Sequence, residues 1–104
     1  MPQDAAAASG FKSTRPVYSF TVTVDPGNHL ATTAVNTTVT VPAGCELVST
    51  DLIVPIPPAT LEASIDVKGA YYATATTMTL RTGNASAGAV DPASATWTFL
   101  VFRS

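Results

Sequence analysis

One histidine, one cysteine and seven carboxylates are spread over 104 residues, so acid–base, nucleophilic or metal chemistry would have to be assembled from very few groups. His29 follows the turn sequence Asp25-Pro26-Gly27-Asn28, with no serine, cysteine or carboxylate pair arranged around it in the chain. It reads as a solvated turn residue. A metal set built from His29, Cys45 and scattered acids lacks the ligand spacing of a zinc site. Asp25, Asp51 and Asp91 lie in or near turns, where a carboxylate accepts hydrogen bonds from nearby backbone without any need for calcium. Cys45 reads as a small apolar filler. No glycine-rich phosphate loop is present. The expectation is a protein with no catalytic residues, no cofactor and no metal.

Two asparagines head N-x-S/T patterns, Asn36-Thr37-Thr38 and Asn84-Ala85-Ser86, which a threonine-rich chain produces by chance. Tyr71 and Tyr72 are a better surface signal. In an extended segment adjacent side chains point to opposite faces, so one of the two must face outward, where it can meet a sugar or a protein neighbour.

Charged residues make up 12% of the chain, about half the ~25% of a soluble domain. The net charge is only −2. Threonine, serine and alanine take the place of the missing charges, as they would if neighbours covered part of the surface. The five basic residues Lys12, Arg15, Lys68, Arg81 and Arg103 are scattered, which argues against a nucleic-acid partner. MPQDAAAASG has neither the basic start nor the apolar stretch of a secretory leader, and no run approaches the ~18 apolar residues of a membrane helix. The expected setting is the inside of a cell, or a virus assembled in one.

The elements that must position these residues are strands. Residues 1–16 read as an extended arm of alanines and small polar residues, carrying Phe11, Lys12 and Arg15. Residues 17–104 read as a single β domain, a length sufficient for a core without a staple. Tyr18, Phe20, Val22 and Val24 alternate with Ser19, Thr21 and Thr23, the period of a half-buried strand. Val35, Val39 and Val41 alternate with Thr38 and Thr40 in the same way until Pro42-Ala43-Gly44 ends the run. Leu47 to Ile56 predicts an irregular strand, with Pro55, Pro57 and Pro58 making its end an edge or a loop. Ile65 and Val67 point one way and Asp66 and Lys68 the other, and the tyrosine pair begins the crossing to Thr76–Thr82, where Met78 and Leu80 face inward. The turn-rich stretch Asn84 to Ser94 leads to the final strand.

That final strand is apolar on both faces, Trp97, Phe99 and Val101 on one and Leu100 and Phe102 on the other. It predicts a central strand covered twice, by the opposing sheet and by a loop or a second subunit. Short antiparallel strands at regular spacing predict a β-sandwich, jelly-roll-like or, alternatively, an immunoglobulin-like Greek key.

The stretch AYYATATTMTLRTGNASAGAVDPASATWTFLVFR resembles the closing segment of small bacteriophage structural proteins, the capsid decoration or cement proteins. Asp91-Pro92-Ala93 followed by Thr96-Trp97 and the arginine Arg103 carries the likeness, with weaker similarity in TVTVPAG and PPATLEA. The resemblance implies a jelly-roll-like sandwich that forms a homotrimer, binds the major capsid protein on the outer surface of an icosahedral shell, and bridges neighbouring capsomers. It places the protein on the virion, assembled in the host cytoplasm. Expected capsid or subunit contacts are Phe11, Lys12 and Arg15 in the arm, with Tyr71, Tyr72, Trp97, Phe99 and Val101 in the domain. A tail-associated module binding cell-surface glycans through Tyr71, Tyr72 and Trp97 is the alternative.

Overall fold

The computed structural model describes residues 17–103, so the arm with Phe11, Lys12 and Arg15 lies outside the described residues. The chain is all-β, with β1 (Val17–Val24), β2 (Ala34–Thr40), β3 (Leu52–Ile56), β4 (Ile65–Thr74), β5 (Thr77–Asn84) and β6 (Ala95–Phe102). Every strand pairing is antiparallel. The strands join in one sheet of order β1-β6-β3-β4-β5-β2, which curls into a half-barrel until its edges β1 and β2 approach each other.

Period-two alternation decides which residues share a face, and the curl decides which face is inside. The concave side holds Phe20 and Val24 of β1, Val39 of β2, Ile53 of β3, Ala70 of β4, Met78 and Leu80 of β5, and Trp97, Phe99 and Val101 of β6. Phe20 faces Phe99 across the β1–β6 ladder, their ring centroids 5.8 Å apart, and Trp97 stacks on Phe99 at 6.4 Å. Both distances fall in the favourable range for aromatic pairs. Met78 and Leu80 face inward, as their alternation requires.

Three stretches differ from the sequence expectation. β3 starts only at Leu52, because Val48 to Asp51 turn: Asp51 donates its N–H to the Val48 carbonyl, while its own carboxylate accepts the Val48 N–H. Pro55 sits in an interior strand rather than an edge. β3 pairs with β4 only at Ile53–Ala70, so that ladder has ended before the residue with no N–H to give. β4, in turn, continues through Tyr71 and Tyr72 to Thr74, with register shifts between Val67 and Gly69 and between Tyr72 and Thr74. Gly69 takes a φ of 151° there, and the Tyr71 ring lies over the space where a Cβ would stand.

Candidate functional site: an uncovered apolar face

The register lines up the convex side of the sheet in rows. Across β1, β6 and β3 these are Val17–Phe102–Leu52, then Ser19–Leu100–Val54, then Thr21–Thr98–Ile56. Leu52 is 64% exposed and Phe102 40%, Val17, Val54 and Ile56 are exposed with them, and Leu100 is half-buried. These six side chains make a continuous apolar patch on the order of several hundred Å², the size at which a surface patch is often functional. Tyr71, 51% exposed, extends it onto β4 beside Leu52.

Trp97, Phe99 and Val101, expected at a contact surface, are instead the fully buried core. The open apolar residues of β6 are Leu100 and Phe102, on the other face. The second covering expected for this strand is absent among the described residues of a single chain. Tyr71 and Tyr72 are both exposed, and they border an open groove of about 470 Å³ together with Ser49, Asp51, Leu52 and Lys68. Trp97 is too deep to share in any sugar contact there.

Two polar locks hold the strands that present this face and the strands beside it. The first joins β1, β6 and the approach to β3. Arg103, just past β6, donates from Nε to Asp51 Oδ1 at 3.0 Å and from Nη2 to Asp51 Oδ2 at 2.8 Å. Nη2 also reaches the Glu46 carbonyl at 3.0 Å and the Tyr18 hydroxyl at 3.3 Å, with the guanidinium 5.4 Å from the Tyr18 ring centre. The Tyr18 hydroxyl donates to the carbonyls of Cys45 and Glu46. The Asp51 side chain is wholly covered, and the Arg103 hydrogen bonds hold its carboxyl below the ordinary carboxylate range. Cys45 is half-buried against the core, in keeping with a filler role.

The second lock lies at the opposite end of the strands and is built on His29, Thr82 and Asn84. His29 is completely buried, a correction to the solvated turn residue its neighbours suggest. Its Nδ1 lies 2.7 Å from the Gly27 carbonyl, which can only accept, so Nδ1 carries a hydrogen, and in the neutral ring the Thr82 hydroxyl donates to Nε2, also at 2.7 Å. Asn84 donates its side-chain amide to the carbonyls of His29, Leu30 and Gly88 and accepts the Ser86 N–H. With the backbone pairing of His29 and Val90 and the buried Pro92, the stretch 84–94 is folded against the loop 25–33 instead of standing free. An asparagine so enclosed has no surface to offer a glycan. Sequence reading missed both locks, because His29 and Thr82 are 53 positions apart and Asp51 and Arg103 are 52.

His29 and Asn84 spend their polar atoms on the protein itself, and among the described residues no three His, Cys, Asp or Glu side chains converge as a metal set would. No family model, curated protein or solved structure matches this chain.

Proposed function

We propose that the protein is a non-enzymatic assembly component, a bacteriophage capsid decoration protein that binds the outer surface of an icosahedral head as a homotrimer and bridges neighbouring capsomers. The observation that carries the reading is the exposed apolar patch of Val17, Leu52, Val54, Ile56, Leu100 and Phe102 on a chain with little charge. Such a face is costly to leave in water and is satisfied by a neighbour in an assembly. The sequence resemblance supplies the kind of assembly. A jelly-roll-like sandwich fits the way the sheet nearly parts at the single Ile53–Ala70 pair, leaving β1-β6-β3 and β4-β5-β2 on either side of one core. The work is mechanical: several weak contacts made by one oligomer across a capsomer seam add up through avidity. Exposed Tyr71 and Tyr72, and the arm with Phe11, Lys12 and Arg15, are the candidates for touching the major capsid protein.

Cryo-electron microscopy of the parent particle tests this directly. The expected result is density for the chain on the shell exterior at three-fold positions; density confined to the tail, or none on the shell, sinks the reading. The groove beside Tyr71 and Tyr72 favours one second reading, a tail-associated glycan-binding module, which glycan-array binding by the isolated protein would support.

A further inference from the structure

We infer that the chain's own N-terminal arm lies across the first apolar row, Val17–Phe102–Leu52–Tyr71, and seats Phe11 in the groove between β3 and β4. The inference goes beyond the capsid reading and does not rest on it. Attachment is the first argument. The row is continuous in register, with Val17 beside Phe102, Phe102 beside Leu52, and Leu52 beside Tyr71, since Ile53 pairs with Ala70. All four side chains are exposed on the convex side. Residues 1–16 join the sheet at Val17, the outer end of this row, so the arm begins where the apolar track begins. A segment tethered there meets the groove at an effective concentration on the order of millimolar, which any free partner must exceed to displace it.

Reach is the second argument. Three strand spacings of about 4.8 Å put Tyr71 about 14 Å from Val17. Phe11 stands six residues before Val17, and six extended residues span up to about 20 Å. The excess leaves room for a change of direction at Arg15-Pro16, where proline has no N–H to prolong a ladder. Phe11 is the one aromatic residue of the arm, and this length brings its ring to the groove of Leu52, Tyr71 and Tyr72. A volume of about 470 Å³ admits a phenyl ring with the backbone beside it. Tyr71 lies over Gly69 rather than standing off the sheet, so a second ring can pack against it.

Charge is the third argument. Residues 17–103 hold six carboxylates against three basic side chains, whereas the arm holds Lys12 and Arg15 against Asp4. The body is negative and the arm positive, so the two attract. With Phe11 turned inward, the alternation of an extended chain turns Lys12 outward, toward a neighbour. The rows Ser19–Leu100–Val54 and Thr21–Thr98–Ile56 stay open, so the assembly surface is narrowed and not removed.

The test uses the full 104-residue chain at low micromolar concentration. Trypsin cuts after Lys12, and the rate of such a cut follows the population in which the arm is undocked. Phe11→Ser and, from the groove side, Leu52→Ser are each expected to speed that cut about tenfold, and Phe11→Leu to stay near the wild type. Cutting at the wild-type rate in either serine variant overturns the inference. Leu52→Ser leaves the residues around the cleaved bond untouched, so it separates docking from altered recognition by the protease. Should Leu52→Ser misfold by circular dichroism, hydroxyl-radical footprinting of the wild type and Phe11→Ser decides. Labelling of Leu52 and Tyr71 is expected to rise severalfold in the variant while the buried Met78 stays protected, and equal labelling refutes the contact. Wild-type protection that grows with protein concentration also overturns the inference, since the arm would then dock on a second copy.

Discussion

The two halves of the sheet, β1-β6-β3 and β4-β5-β2, are alike inside and different outside. Both line the core with large apolar side chains, Phe20, Phe99 and Val101 from one and Val39, Met78 and Leu80 from the other. On the convex side the first half shows leucine, valine, isoleucine and phenylalanine, whereas in the second β2 and β5 show threonine, asparagine and arginine and only Tyr71 of β4 adds a large exposed ring. The locks differ too: an Arg103–Asp51–Tyr18 cluster built on an ion pair ties the first half, and a His29–Thr82–Asn84 hydrogen-bond cluster ties the second. Folding needs the inner faces of both halves equally. The outer face of the first half is beyond what folding needs, and that surplus points to assembly.

The largest expected effect tests the likeness. Phe99→Ala in the first half should cost about 3–5 kcal/mol and Leu80→Ala in the second about 2–5 kcal/mol in urea unfolding, because each leaves a cavity in one shared core. If only one of the two destabilised the whole chain, the halves would be separate units and the single-core picture would fail.

A smaller effect separates the locks. Arg103→Ala leaves a covered carboxylate with only the Val48 N–H as donor and should cost about 1–3 kcal/mol near neutral pH. The sign with pH follows from the lowered pKa of Asp51. A depressed carboxyl stabilises the fold fully above its unfolded value of about 3.9, and that contribution disappears as pH falls through the lower folded value. Unfolding curves from neutral pH down to acid should therefore converge for wild type and Arg103→Ala. Curves that stay parallel would show that the pair contributes nothing through its charge.

The smallest expected effect on stability sharpens the outer contrast. Thr38 and Thr79 face each other across β2 and β5 on the polar convex surface, and Thr38→Val/Thr79→Val should change stability by no more than about 0.5 kcal/mol. The double variant should nevertheless associate more strongly than wild type in sedimentation, since it gives the second half an apolar surface like the first. Unaltered association would mean that apolarity on the convex face is not what drives contact.

Much of the fold was legible along the chain. The alternation in Val17–Val24 and Thr77–Thr82 assigns inner and outer residues locally, since neighbouring strand residues must point to opposite faces. Pro55 misled as an edge marker, because its missing N–H matters only where a ladder continues, and the β3–β4 ladder stops short of it. For the candidate site, the two-faced character of β6 was visible and the choice of face was not. Trp97, the largest aromatic, went inside, and Phe102 stayed open.

The sequence by itself determined the strand class, the residues that share a face, and the shortage of charged or catalytic groups, because these depend on composition and a period of two. Only the tertiary structure decided which face of β6 is uncovered, that His29 is buried, and that Asp51 waits for Arg103. Those outcomes depend on register and curl between segments some fifty residues apart, for which no local pattern carries a signal.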